Sequence, residues 1–393
     1  MSDFDQLFPE SYEASRDRFR ENYALIQERW PSAHLESRAL SGDEDLTIDW
    51  LVADALERRE KILIFTNGEH GIEGYVGSGI LQLFVENYLQ YLDPKRTGLL
   101  LMHCINPWGM RNLRRVNAQN VDLNRNFVWG PGRGRADAYF AEKFPNIQYE
   151  RLSHFLNPQG EINPSPTNYW RFLLGLAGRT LSMGMKKFRG ALLLGQYNFP
   201  KGIFFGGQGY QEETILMMEL LRENIGRYAQ TLLLDMHTGY GPRSQMSLVN
   251  SCLEKRGSQT FQQTFGYPLV VKANPKEFYS IHGDMVDYVY NFVLNEFPDK
   301  KLYATSFEFG TYGDSSLAAI RSLRTLILEN QLHWFGTKSE EAKERTCKDF
   351  RELYFPESES WKAKAVADAE KAFQGILAAE GYWVPITLPF LTR

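Results

Sequence analysis

Short apolar runs alternate with longer amphipathic stretches along this chain of 393 residues. The runs at 61–66, 99–105, 231–236, 246–250 and 302–308 have the length and largely apolar character of strands buried on both faces. Between them, residues 75–92, 211–229, 283–297 and 316–334 carry apolar side chains at helical spacing. Upstream, Tyr12, Phe19, Tyr23, Ile26 and Trp30 mark a helix over 10–30 that stops before Pro31. The alternation predicts an α/β fold with a mixed, mainly parallel central sheet and helices on both faces. In such sheets ligands bind beyond the carboxyl ends of the strands.

Two regions break the rhythm. Residues 128–200 are rich in Gly, Pro, Asn and aromatics, with a helical, apolar stretch at 169–187. They are expected to be an insertion that edges or covers a site. Residues 338–380 are charged and helix-prone, which predicts a peripheral helical appendage. The expected organisation is an N-terminal helical extension over 1–44, a catalytic domain over 45–335 containing the insertion at 128–200, and a C-terminal helical appendage over 336–393 packed on the same domain.

Composition narrows the class. The chain is 43% hydrophobic and 23% charged, which is ordinary for a globular protein. A net charge of −4 gives no reason to expect nucleic acid or a membrane as partner. Three cysteines and no Cys-x-x-Cys pair argue against a disulfide framework and against thiolate zinc. The first ten residues lack a signal-peptide pattern, and no apolar run reaches the length of a bilayer span. A cytoplasmic location is expected.

The chemistry concentrates at the ends of the expected strands. Gly68-Glu69-His70-Gly71-Ile72-Glu73-Gly74 follows the first run and sets an imidazole and a carboxylate three positions apart on a glycine turn. Two His and one Glu, with one position left to water, are a common catalytic zinc set. His237 ends the run Leu232-Leu233-Leu234-Asp235-Met236 and precedes another glycine turn. A lone His is usually a satisfied core or surface residue. Two on strand ends, one paired with Glu, are harder to dismiss. Arg114, Arg115, Asn124 and Arg125 lie in the loop after the second run, where guanidinium and amide groups suit a carboxylate ligand. Glu308 sits among apolar neighbours at a strand end, where a raised pKa would suit a general base. Asp235 and His103 also lie near strand ends, but one metal per chain is the expectation.

Taken in order, His70-x-x-Glu73, Asn106-Pro107, Asp122-Leu123-Asn124-Arg125, His237 and Glu308 resemble the zinc carboxypeptidase family, M14. Gly195-Gln196-Tyr197-x-x-Pro200-x-Gly202 and Phe205-Gly206-Gly207 resemble its bacterial DUF2817 branch in particular. The resemblance covers residues 45–335. It implies that His70, Glu73 and His237 hold one Zn2+ and that Asp122 orients His70. It implies that Asn124 and Arg125 grip a substrate carboxylate, that Glu308 activates water and that Tyr279 closes over the substrate. Arg115, with Arg114 as the alternative, would stabilise the oxyanion. The implied activity is a metallocarboxypeptidase that cleaves an amide next to a free carboxylate. His70-Gly71-Ile72-Glu73 and Asp235-Met236-His237-Thr238 also resemble the aspartoacylase and succinylglutamate desuccinylase relatives, which implies N-acyl amino acid deacylation as an alternative. A non-catalytic metal-binding protein of the same fold is the third possibility. The substrate expected is therefore a small peptide or an acyl amino acid.

Overall fold

The computed structural model describes residues 5–130, 140–273 and 282–383. Its centre is one sheet of eight strands: β1 (His34–Leu40), β2 (Asp43–Ala53), β3 (Lys61–Thr66), β4 (Thr97–Met102), β5 (Gln230–Gly239), β6 (Met246–Asn250), β7 (Val270–Lys272) and β8 (Lys301–Gly310). They lie in the order β1-β2-β4-β3-β5-β8-β6-β7. The central strands β4, β3, β5 and β8 run parallel, while β2 joins β4, and β6 joins β8, in antiparallel fashion. Helices cover both faces, as the alternation predicts. From β3 the chain moves outward to β4, then returns to add β5 on the other side. The carboxyl ends of β3 and β5 thus flank the point where the strand order reverses, which is where such sheets open a crevice.

The five expected strands are all present, but β1, β2 and the three-residue β7 were not foreseen. β1 is an exposed edge strand whose polar sequence, His-Leu-Glu-Ser-Arg-Ala-Leu, carries no buried period. In β2 the apolar run is interrupted by Asp49, which is wholly buried because Arg20 Nε reaches its Oδ2 at 2.9 Å. The segment 1–44 is accordingly not only helical, and the β1–β2 hairpin runs across the expected boundary at 44/45.

The C-terminal helix is not peripheral either. In Glu359–Ala379, Ala365, Ala369 and Ala372 let the helix come close, and Phe373 enters the main core against Phe65, Phe84 and Phe307. Of the charges that suggested an outer helix, Lys364 and Lys371 are exposed, while Asp368 is buried and accepts the N–H of Met246 at 3.1 Å. The insertion folds as helices Phe140–Lys143, Ile147–Leu156, Pro166–Met183 and Met185–Leu193. It shares a second hydrophobic cluster with the helices Ser316–Phe335 and Glu340–Tyr354. Ile72, from the turn after β3, belongs to that second cluster, so the turn is clamped between two cores. Among the described residues no helix is long and apolar enough to cross a membrane.

Candidate metal centre

The turn after β3 is held by backbone. Gly71 and Ile72 donate their N–H groups to the carbonyls of Arg115 (3.2 Å) and Arg114 (2.9 Å). A Cβ on Gly71 would stand 2.1 Å from the carbonyl carbon of Gly109, so only glycine lets the two loops approach this closely. A 3-10 turn, Gly71–Glu73, then leads into the helix Gly74–Asn87 and turns His70 and Glu73 towards β5. His237 comes from the end of β5, and Glu308 lies beside it in register on β8.

The geometry brings three of the expected residues to one point. His70 Nδ1 lies 3.0 Å from Glu73 Oε1 and 3.3 Å from His237 Nδ1, and His237 Nδ1 lies 3.5 Å from Glu73 Oε2. All three side chains are buried. Each ring turns its other nitrogen to a carboxylate: His70 Nε2 to Asp122 Oδ1 at 3.0 Å and His237 Nε2 to Asp235 Oδ2 at 2.6 Å. This pattern assigns the Nε2 protons to those contacts, so both Nδ1 lone pairs and the Glu73 carboxylate converge. Two imidazole lone pairs at 3.3 Å are reconciled only by a proton or a metal cation. Ligand atoms about 2.0–2.1 Å from a tetrahedral zinc stand roughly 3.3 Å apart, so the observed spacing fits that ion.

The electrostatics point the same way. The carboxyl groups of Glu69, Glu73, Asp122, Asp235 and Glu308 are all buried here. Against them stand the guanidinium groups of Arg115 and Arg125, both paired with Asp122. Burial alone would raise Asp122, but Arg115, Arg125 and His70 hold it well below the usual carboxylate range. Glu73 is likewise held down to about 2, because His70 and His237 outweigh its burial. Burial disfavours the charged form of His237, yet Asp235 and Glu73 raise its pKa well above the ordinary value. Burial pushes Glu308 up to about 8; His237 offsets part of this and Glu73 adds to it. Its Oε1 accepts the backbone N–H of Tyr240 at 3.0 Å.

The remaining expected residues divide. Asn124 and Arg125 sit on a second 3-10 turn, Leu123–Arg125, beside Asp122. Asn124 Oδ1 accepts the N–H of Met285 at 3.2 Å. The Arg125 guanidinium lies over the Phe204 ring, and its buried Nε has no partner among the described residues. Gly195, at φ +80°, passes so close that a Cβ would reach Arg125 Cδ at 2.5 Å, so the end of the insertion fixes this arginine. Arg115 turns inward, with Nε 3.6 Å from Glu73 Oε1, whereas Arg114 turns away to Glu329 at 2.6 Å. Tyr279 lies outside the described residues. His103 is not near the centre: its Nε2 lies 2.8 Å from Ser15 Oγ and its ring packs against Tyr12 and Phe19. Burial and nearby arginines depress its pKa to about 3.

Glu69 was missed, although it immediately precedes His70. It is wholly buried and its Oε2 lies 3.5 Å from His237 Nε2. Burial and Asp235 raise its pKa well above the usual range, which suits a carboxyl that carries a proton. Asp235 could have been assigned from sequence, since residues two apart on a strand share a face.

A buried pair of imidazoles and a carboxylate at the switch point of a mixed α/β sheet defines the class of protein. The chain belongs to the family described as "Protein of unknown function (DUF2817)", whose model matches residues 8–368. No curated protein matches. Among solved structures the chain is similar to a carboxypeptidase A from Helicoverpa armigera, at 14% identity over 92% of this chain and 74% of that one, with a TM-score of 0.44. It is also similar to a murein-tripeptide amidase from Escherichia coli O157, at 19% identity over 77% of this chain and 92% of that one (TM-score 0.35). An aspartoacylase family protein from Mesorhizobium loti is similar at 12% identity over 79% of this chain and 69% of that one (TM-score 0.35).

Proposed function

We propose that the protein is a zinc-dependent hydrolase that cleaves an amide bond beside a free carboxylate, most simply as a metallocarboxypeptidase. The observation that carries this reading is the convergence of His70 Nδ1, His237 Nδ1 and Glu73, each backed by a partner, with Glu308 on the neighbouring strand. His70, Glu73 and His237 would hold one zinc ion. When bound, zinc supplies Lewis acidity and makes water more acidic. Glu308 takes the proton from the attacking water and later returns it to the leaving amine. Arg115, turned to the centre, stabilises the negative charge that develops on the scissile carbonyl oxygen. Arg125 and Asn124 bind the substrate carboxylate, which places the adjacent amide for attack and selects a chain end. Asp122 keeps the His70 ring in place and pairs with both arginines.

The test is a metal determination with two substrate panels, one of peptides and one of N-acyl amino acids. About one zinc per chain and release of carboxyl-terminal residues are expected. Glu308→Gln should keep the metal and lower turnover by roughly 100- to 10,000-fold. Turnover of acyl amino acids alone would replace the peptidase reading with the deacylase one. A fully metallated protein that leaves both panels intact would refute hydrolysis altogether.

A further inference from the structure

The helix Pro166–Met183 is apolar on two faces. One face carries Leu176 into the second hydrophobic cluster, with Phe172 and Met183 packed against it. The opposite face presents Trp170, Leu174 and Leu181, spaced four and seven residues apart, at exposures of 63%, 72% and 85%. Met185, at the start of the next helix, is also exposed, at 57%. A second exposed apolar stripe along one side of a helix marks a surface for a partner.

The charge beside this stripe says what kind. From residue 162 to 211 the chain has no Asp or Glu, while Arg171, Arg179, Lys186, Lys187, Arg189 and Lys201 are basic. Arg171, Lys186, Lys187 and Arg189 are exposed, and no carboxylate among the described residues pairs with them. The whole chain carries −4, so this is a local inversion of sign. A second copy of the chain is disfavoured, because a two-fold interface would set the same unneutralised cations against each other. A surface that takes Trp and Leu into an apolar layer and meets Lys and Arg with negative headgroups satisfies both features.

We infer that the outer face of the helix pair 166–183 and 185–193 docks on an anionic phospholipid bilayer, lying in the interface rather than spanning it. Trp170, Leu174, Leu181 and Met185 enter the acyl boundary, and Arg171, Lys186, Lys187 and Arg189 meet the headgroups.

The experiment is co-sedimentation of the full chain with vesicles of phosphatidylcholine alone and of phosphatidylcholine mixed with phosphatidylglycerol. Binding to the anionic vesicles only, weakened by salt, is expected. Each basic residue removed should weaken it by up to about fivefold. Lys186→Gln with Lys187→Gln tests the charge, and Leu174→Glu with Leu181→Glu tests the apolar stripe. Because these side chains are exposed, circular dichroism should show both variants folded. Folded wild-type protein that stays in the supernatant at low salt would overturn the proposal. So would binding that neither variant weakens. A dimer in sedimentation that Leu174→Glu with Leu181→Glu dissociates, without vesicle binding, would overturn it in favour of an interface between copies.

Discussion

The carboxyl end of the sheet and the helical insertion treat polarity in opposite ways. At the sheet end charged groups are buried, and most have a named partner: Asp122 has His70, Arg115 and Arg125, and Glu73 accepts the N–H of Thr238 at 2.7 Å. In the insertion large apolar side chains are exposed and basic ones stand unneutralised beside them. Burying charge without pairing costs several kcal/mol, roughly as much as leaving a few large apolar side chains in water. Neither arrangement is a default of folding. On the readings proposed above, the first organises a metal centre inside the protein, and the second presents a surface to something outside it.

The first half of that contrast breaks most sharply at Asp122. Asp122→Asn would leave Arg125 buried without its counter-charge, strip Arg115 of one of its two carboxylate partners and put a neutral amide in place of the carboxylate that orients His70. Breaking a buried pair by deleting one partner typically costs about 3–5 kcal/mol. Loss of the group that orients a ligating histidine typically weakens metal binding by roughly 10- to 100-fold. Denaturant unfolding and zinc titration of the variant check both numbers. If neither moves, Asp122 does not organise the centre.

The second half is tested on one helix. Leu176 is 8% exposed and Leu181, five residues on, is 85% exposed. Leu176→Ala should cost about 2–5 kcal/mol of stability through lost packing and the cavity it leaves. Leu181→Ala should stay within about 0.5 kcal/mol in solution, since its side chain packs on nothing there. Equal losses in denaturant unfolding would mean that both faces are packed, and that the outer stripe already has a partner.

The same contrast explains what the sequence discloses. His70, Glu73, His237 and Glu308 were legible because each follows an apolar run, and the fold places the ends of β3, β5 and β8 side by side. The parallel core was legible because β3, β4 and β5 are nearly unbroken apolar runs, as burial on both faces requires. β2 was hidden by a single buried ion pair, Arg20 with Asp49, whose partner is 29 residues away. The core position of Phe373 was hidden by the charges along its helix. The choice between Arg114 and Arg115 could not be read, because neighbouring residues on a loop point apart for reasons set by distant partners, here Glu329 and Asp122. The basic, apolar face of the insertion was averaged away in the net charge of the chain.

Glu213 offers a finer test, because it is a buried carboxylate outside the centre with only neutral partners. It sits in the first turn of the helix Glu212–Arg227, and Asn117 Nδ2 donates to its two oxygens at 3.1 and 3.4 Å. Burial raises its pKa from 4.5 to about 7, although the Asn117 hydrogen bond pulls the other way. Asp122, equally buried, is held low because its partners are cations. For Glu213 the folded chain therefore binds the proton more tightly than the unfolded chain. Its contribution is fully present below pH 4.5 and is lost as pH rises through about 7. The difference amounts to about 3 kcal/mol across that window. Glu213→Gln keeps an acceptor for Asn117 and has no charge to bury. Denaturant unfolding of wild type and variant between pH 4.5 and 8 should show the variant gaining on the wild type as pH rises. Parallel curves would mean that Glu213 is ionised in the fold, and that a neutral amide suffices where Asp122 uses two guanidinium groups.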